Sequence, residues 1–222
     1  MGWFEFALAF VAFFLTHSVP VRPPLRPILV GALGRRGFSI VYSLVSLAIV
    51  AWLIVAAGRA PFVLLWPWAP WQSYAALLLM LIACIWLALA AGQPNPFSFG
   101  GGRKAPFEPA APGIVRLTRH PFLAVLALWA SAHVLANGVL AHAILFGVFA
   151  VFAAIGGRLI DRRKKRELGA DWALLKQQMA ATPFSAAVPL TRVTAKRVAV
   201  GVVAWVALIA AHPLLFGVAP WP

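Results

Sequence analysis

Apolar residues come in six runs, at 3–18, 39–57, 74–92, 121–138, 140–157 and 198–218. A helix that crosses a bilayer needs about 20 consecutive apolar residues, with a range of about 17–25. The first run reaches that length only by including His17 and Ser18. No run alternates with a period of two, which argues against a transmembrane β-barrel. The pattern predicts an all-α, polytopic membrane protein with about six transmembrane helices, forming one transmembrane domain over residues 1–222.

The polar stretches between the runs set an orientation. Arg22, Arg26, Arg35 and Arg36 lie between runs one and two, and only Arg59 between two and three. Arg103, Lys104, Arg116 and Arg119 precede run four; between four and five there is only the turn pair Asn137-Gly138. A long basic block at 158–197 separates five from six. Basic and neutral connections therefore alternate. The excess of Lys and Arg on cytoplasmic loops then predicts both termini outward and 158–197 as a cytoplasmic segment. Residues 1–15 lack the basic start of a signal peptide and carry Glu5, so they read as a retained span.

Four stretches outside the runs carry further expectations. The proline-dense 19–27 reads as a rigid linker. The 61–71 stretch (PFVLLWPWAPW) reads as an interfacial aromatic belt, with an aromatic ligand box as the alternative. The Gly- and Pro-rich 93–112 lacks the GKS or GKT of a phosphate loop and reads as a mobile loop. In 161–179, Leu168, Trp172 and Leu175 recur at helical spacing beside basic residues, as in an amphipathic helix on a membrane surface or a plain basic anchor to anionic lipid.

Composition agrees with the pattern. Hydrophobic residues make up 63% and charged residues 11%, against about 25% charged in soluble domains. The net charge of +14 sits on loops between apolar runs, so nucleic acid is not the expected partner; the lipid bilayer is. Lone Cys84 excludes a disulfide framework and a cysteine metal site.

Candidate chemistry rests on five histidines: His17, His120, His133, His142 and His212. In the expected topology His17 and His120 both lie at cytoplasmic helix ends and share a depth. His133 is thirteen residues further along, roughly 20 Å up the same helix. Two imidazoles bind one haem iron from opposite faces. His17 and His120 satisfy that if their helices are neighbours; His120 and His133, on one straight helix, do not. Arg119, Arg116 and Arg22 lie at the depth where haem propionates want cations. The plainer alternative makes His17 a polar helix end and His120 a helix start, capped by Thr118 ahead of Pro121. His142 and His212 read as side chains in the headgroup region. No HExxH is present, and Ser131 and Ser18 have no carboxylate-backed histidine nearby in sequence.

Several motifs occur together and in order. They are His17-Ser18, Arg35-Arg36-Gly37-Phe38 leading into Tyr42-Ser43-Leu44, Thr118-Arg119-His120-Pro121, and Leu128-Trp129-Ala130-Ser131-Ala132-His133 with Asn137-Gly138. Asp161-Arg162-Arg163, Leu168-Gly169, Trp172 and Thr182-Pro183-Phe184 follow. In this the chain resembles the NnrU family of bacterial membrane proteins, linked to denitrification and nitric-oxide metabolism, to which 15-cis-ζ-carotene isomerase is related. The resemblance implies a haem b held by histidines in a bacterial inner membrane, the outward termini then being periplasmic, with His17 and His120 as iron ligands and His133 as a further matching position; Arg119 is the cofactor-binding cation by its depth. It implies redox-controlled cis–trans isomerisation of an apolar substrate, or a part in nitrogen-oxide metabolism. The RHP motif and the basic segment with Glu167, Leu168-Gly169 and Trp172 also resemble S-adenosylmethionine-dependent methyltransferases of the isoprenylcysteine carboxyl methyltransferase type. The paired glutamates of that pattern are absent, with Asp161-Arg162-Arg163 in their region. A non-enzymatic accessory protein that recruits a partner through its basic loops is the third reading.

Overall fold

The computed structural model describes residues 2–102 and 105–222; the loop cations Arg103 and Lys104 lie outside them. The described residues form seven α-helices: α1 Gly2–Ser18, α2 Leu25–Arg59, α3 Pro70–Ala90, α4 Pro121–Ala136, α5 Leu140–Leu168, α6 Ala170–Ala181 and α7 Arg192–Phe216. The chain divides into two compact units. One comprises the chain up to Trp66 with Gly138–Leu145; the other comprises Pro67–Asn137 with Phe146–Pro222.

Four helices, α2, α3, α5 and α7, are long and apolar enough to cross a membrane. The other two expected spans are shorter: α1 has 17 residues and α4 has 16. At 1.5 Å per residue, sixteen residues extend about 24 Å, short of a hydrocarbon layer of about 30 Å. Proline and histidine at one end of α4 and Asn137 at the other fix that length.

Three boundaries differ from the expected ones for identifiable reasons. α2 begins at Leu25, well before residue 39, and is kinked at Gly34, whose φ of 70° and ψ of 163° are not helical. α5 continues to Leu168, past the expected end at 157. Arg, Lys and Glu are good helix formers, and Glu167 pairs with Arg163 at 3.4 Å and Lys164 at 2.8 Å. α7 starts at Arg192 because Thr191 caps it, its side chain accepting the Thr194 N–H at 3.1 Å.

In the first unit α1 packs on α2. Phe6, Ala9 and Phe13 recur on one face of α1 and are buried, as are Leu53, Ala56 and Ala57 of α2. Glu5 accepts hydrogen bonds from Trp52 at 3.3 Å and Arg59 at 3.2 Å. Part of the expected aromatic belt is tied down here: Leu65 N–H donates to Gly138 O at 2.7 Å and Leu140 N–H to Val63 O at 2.8 Å.

In the second unit α3 packs against both α4 and α7. Gly201 allows the α3–α7 approach, since a Cβ there would sit 2.7 Å from the Ile85 Cα. Arg197 reaches the open end of α3 and donates to the carbonyls of Ala88 and Ala91, both at 2.8 Å. These are among the carbonyls a helix leaves unpaired at its C-terminus. α6 does not lie free as a surface helix. Trp172 and Met179 are buried with Phe97 and Val115, and Phe107, Leu168 and Leu175 pack around them. Phe97, in the 93–112 stretch expected as a mobile loop, is fully buried at the same place.

Candidate functional site

His120 stands immediately before α4. Pro121, at the first helical position, has no N–H to leave unpaired and holds a helical φ, so the helix starts there. The His120 backbone (φ −120°, ψ 63°) lies outside the helix, its N–H bonded to Thr118 Oγ1 at 3.2 Å. The imidazole does not cap α4. It is turned inward, 9% exposed, onto α5. Gly157 of α5 leaves the room: a Cβ there would lie 3.0 Å from His120 Cδ2, inside the ordinary carbon–carbon contact of about 3.5–4.0 Å. One turn further on, the same face of α5 presents Asp161.

Asp161 gathers three donors. Arg119 grips it in bidentate fashion, Nε to Oδ1 at 3.2 Å and a terminal guanidinium nitrogen to Oδ2 at 2.7 Å. His120 Nε2 lies 2.9 Å from Oδ1. The other ring nitrogen, Nδ1, lies 3.1 Å from Ser98 Oγ. Asn95 holds Ser98 in place: its amide donates to the Arg119 carbonyl at 3.0 Å and its Oδ1 accepts the Phe97 N–H at 2.9 Å. Buried Phe97 then meets Trp172 of α6 edge to face at 5.2 Å.

Burial lowers the His120 pKa below the usual imidazole value; the charge of Asp161 and its hydrogen bond oppose this, and the charge of Arg119 adds to the lowering. The ring is therefore neutral near pH 7. A carboxylate only accepts, so the proton sits on Nε2, and Nδ1 accepts from the Ser98 hydroxyl. The order serine, imidazole, carboxylate is that of a nucleophile, its base and an orienting group. The nitrogens are exchanged relative to the serine-protease arrangement, where the carboxylate takes Nδ1. The same carboxylate–imidazole pairing also orients histidines that bind metals.

His17 belongs to the first unit, in the last turn of α1. Its ring stacks on Phe13 at 5.4 Å. The Tyr42 hydroxyl donates to the His17 carbonyl at 3.0 Å and lies 3.1 Å from Nδ1. With the hydroxyl hydrogen on the carbonyl, the Tyr42 oxygen accepts from Nδ1–H. Arg22, of the same unit, is exposed.

The remaining candidates serve other contacts. Arg116 donates to the Thr182 carbonyl at 2.7 Å and covers the Phe184 ring at 4.0 Å. His133 donates from Nδ1 to the Trp129 carbonyl at 2.7 Å and packs against Phe146 at 4.7 Å. His142, expected among headgroups, has a buried Nδ1 with no hydrogen-bond partner among the described residues.

Sequence reasoning missed Ser98, Asn95 and the role of Asp161. Asp161 had a signal, as a carboxylate just past the end of an apolar run. Ser98, inside a Gly- and Pro-rich loop, had none.

The family model described as NnrU protein matches residues 5–220. No curated protein and no solved structure matches the chain.

Proposed function

The chain belongs to the NnrU family, and from that premise we propose that it is a haem b-binding protein of the bacterial inner membrane, with His120 and His17 as the iron ligands. The observation that carries the reading is the Asp161–His120 contact at 2.9 Å. Imidazoles that bind metals nearly always have their second nitrogen hydrogen-bonded to a carboxylate, carbonyl or water. Tyr42 meets His17 Nδ1 in the same manner. His120 and His17 would hold the haem; at His120, Asp161 occupies Nε2, so Nδ1, which Ser98 Oγ faces at 3.1 Å, is the nitrogen that would remain for it. Arg119 is the cation beside the cofactor and at the same time fixes the carboxylate that holds His120. A bound haem supplies an iron whose ligation depends on its redox state, suited to cis–trans isomerisation of an apolar substrate or to a step in nitrogen-oxide metabolism. The protein's own part is to fix both rings and to keep the His120 proton on Nε2.

The test is an absorption spectrum of the detergent-purified protein after expression with ample haem, oxidised and then dithionite-reduced. A sharp Soret band with split reduced bands is expected, and it falls in His17→Ala and in His120→Ala. A colourless preparation sinks the reading.

The contact between Ser98 and His120 supports a second reading, a membrane hydrolase with Ser98 as nucleophile. That reading expects covalent labelling of Ser98 by a fluorophosphonate, abolished in His120→Ala and indifferent to His17. The methyltransferase reading draws less support, because Asp161 is already engaged by Arg119 and His120. It expects S-adenosylmethionine binding that depends on His120 alone.

A further inference from the structure

The second unit holds a cavity of about 250 Å³ between α3, α4 and α7, well away from His120. Roughly 20 Å of helix separates the two along α4. The cavity exists because α4 presents Ala132 and Ala136 there, while Trp68 and Trp205 form broad walls. An apolar cavity of about 150 Å³ accommodates benzene, so this one has room for a single ring with substituents.

Its polar groups are unusual in kind. The Trp68 indole N–H is spent on Ser73 Oγ at 3.2 Å, and that of Trp205 on the Leu77 carbonyl at 3.0 Å. The Asn137 amide donates to the His133 carbonyl at 2.9 Å. His133 Nδ1 faces the Trp129 carbonyl and His212 Nδ1 the Val218 carbonyl, both at 2.7 Å. A carbonyl only accepts, so each Nδ1 carries a proton, and in the singly protonated ring Nε2 is then the acceptor. Ser73 keeps one hydroxyl hydrogen. Against it stand two ring nitrogens and Asn137 Oδ1. The cavity is thus apolar in its walls and accepting in its polar points.

We propose that this cavity binds a one-ring aromatic alcohol, of the phenol or hydroquinone class, through a hydroxyl donated to His133 or His212. The aromatic walls take the ring, and the acceptors take the hydroxyl hydrogen. A ketone or a pure hydrocarbon of equal size lacks that donor. The site is independent of haem at His120.

The test titrates the full-length protein, in detergent or nanodiscs, with 4-propylphenol and with its methyl ether, 4-propylanisole, by calorimetry. The two share the ring and the propyl chain; the ether lacks the donor and carries one more methyl group. The phenol is expected to bind saturably at one site and about tenfold more tightly than the ether. Losing one hydrogen bond costs roughly threefold to tenfold, so His133→Phe and His212→Phe, checked for unchanged elution on gel filtration, each lower phenol affinity by about that factor. Equal affinity for phenol and ether, or no saturable binding, overturns the proposal without recourse to any variant. So does loss of a Soret band in His133→Phe with no phenol binding by the unaltered protein, which would move His133 to the haem.

Discussion

Asp161 is the side chain on which the candidate site depends, because three donors converge on one carboxylate. Asp161→Asn replaces an acceptor with a donor on one side, frustrates the Arg119 fork and removes the reason for the His120 proton to sit on Nε2. Hydrogen bonds to charged groups contribute about 1.5–3 kcal/mol each when buried; this site is partly solvated, so the expected loss is about 1–3 kcal/mol. A lower midpoint of thermal unfolding in detergent checks it; the haem reading adds weaker retention of haem. Ser98→Ala separates the two functional readings: the haem protein keeps its Soret band, whereas a serine nucleophile loses fluorophosphonate labelling. The lowered pKa of His120 has a direction too. In the unfolded chain the ring takes a proton near its ordinary value of about 6.5; in the folded protein it does so only at lower pH. The unfolded state therefore binds the proton first. The stability this group provides is intact above about pH 6.5 and is lost as pH falls through the folded value. Unfolding midpoints of the haem-free protein between pH 8 and 5 should fall less steeply in His120→Asn than in the unaltered chain. Equal slopes would exclude the contribution.

Among the elements, α6 and the loop carrying Ser98 stand or fall together. Trp172 of α6 packs on Phe97, and Phe97 is one residue from Ser98. Trp172→Ala removes a large buried ring, a change that costs about 3–5 kcal/mol in well-packed cores. Here the expected signature is local: faster proteolysis and amide exchange across 93–112, with α3 and α7 unchanged. This arrangement was only half legible in the sequence. Leu168, Trp172 and Leu175 show a helical stripe, but a stripe does not say whether lipid or protein covers it. The apolar cores of α3, α4 and α7 were legible because each is a long apolar run. The run of α5 through to Leu168 was not: the separate helix expected over 161–179 is divided at Gly169 between the end of α5 and α6. His120 was legible as an ionisable group at the mouth of an apolar run, whereas its partnership with Asp161 is a property of packing across 41 residues.

For the whole molecule, the alternation of basic and neutral connections is consistent with six crossings, and among the described residues four helices reach full length. With α1 and α4 also crossing, an alkaline phosphatase fused after Pro222 is expected to be active outside the cell membrane, and one fused at Gly169 inactive. The reverse pattern would invert the orientation read from the arginines. The ion cluster around Asp161 adds a consequence for biosynthesis. Arg119 and His120 leave the ribosome well before Asp161 does. During that interval the Arg119 guanidinium and the His120 imidazole lack the carboxylate that both meet in the folded protein. Only when the far end of α5 has been made does the counter-charge arrive. The site is thus completed late in synthesis, and a nascent chain arrested between α4 and the end of α5 has the histidine but not its setting.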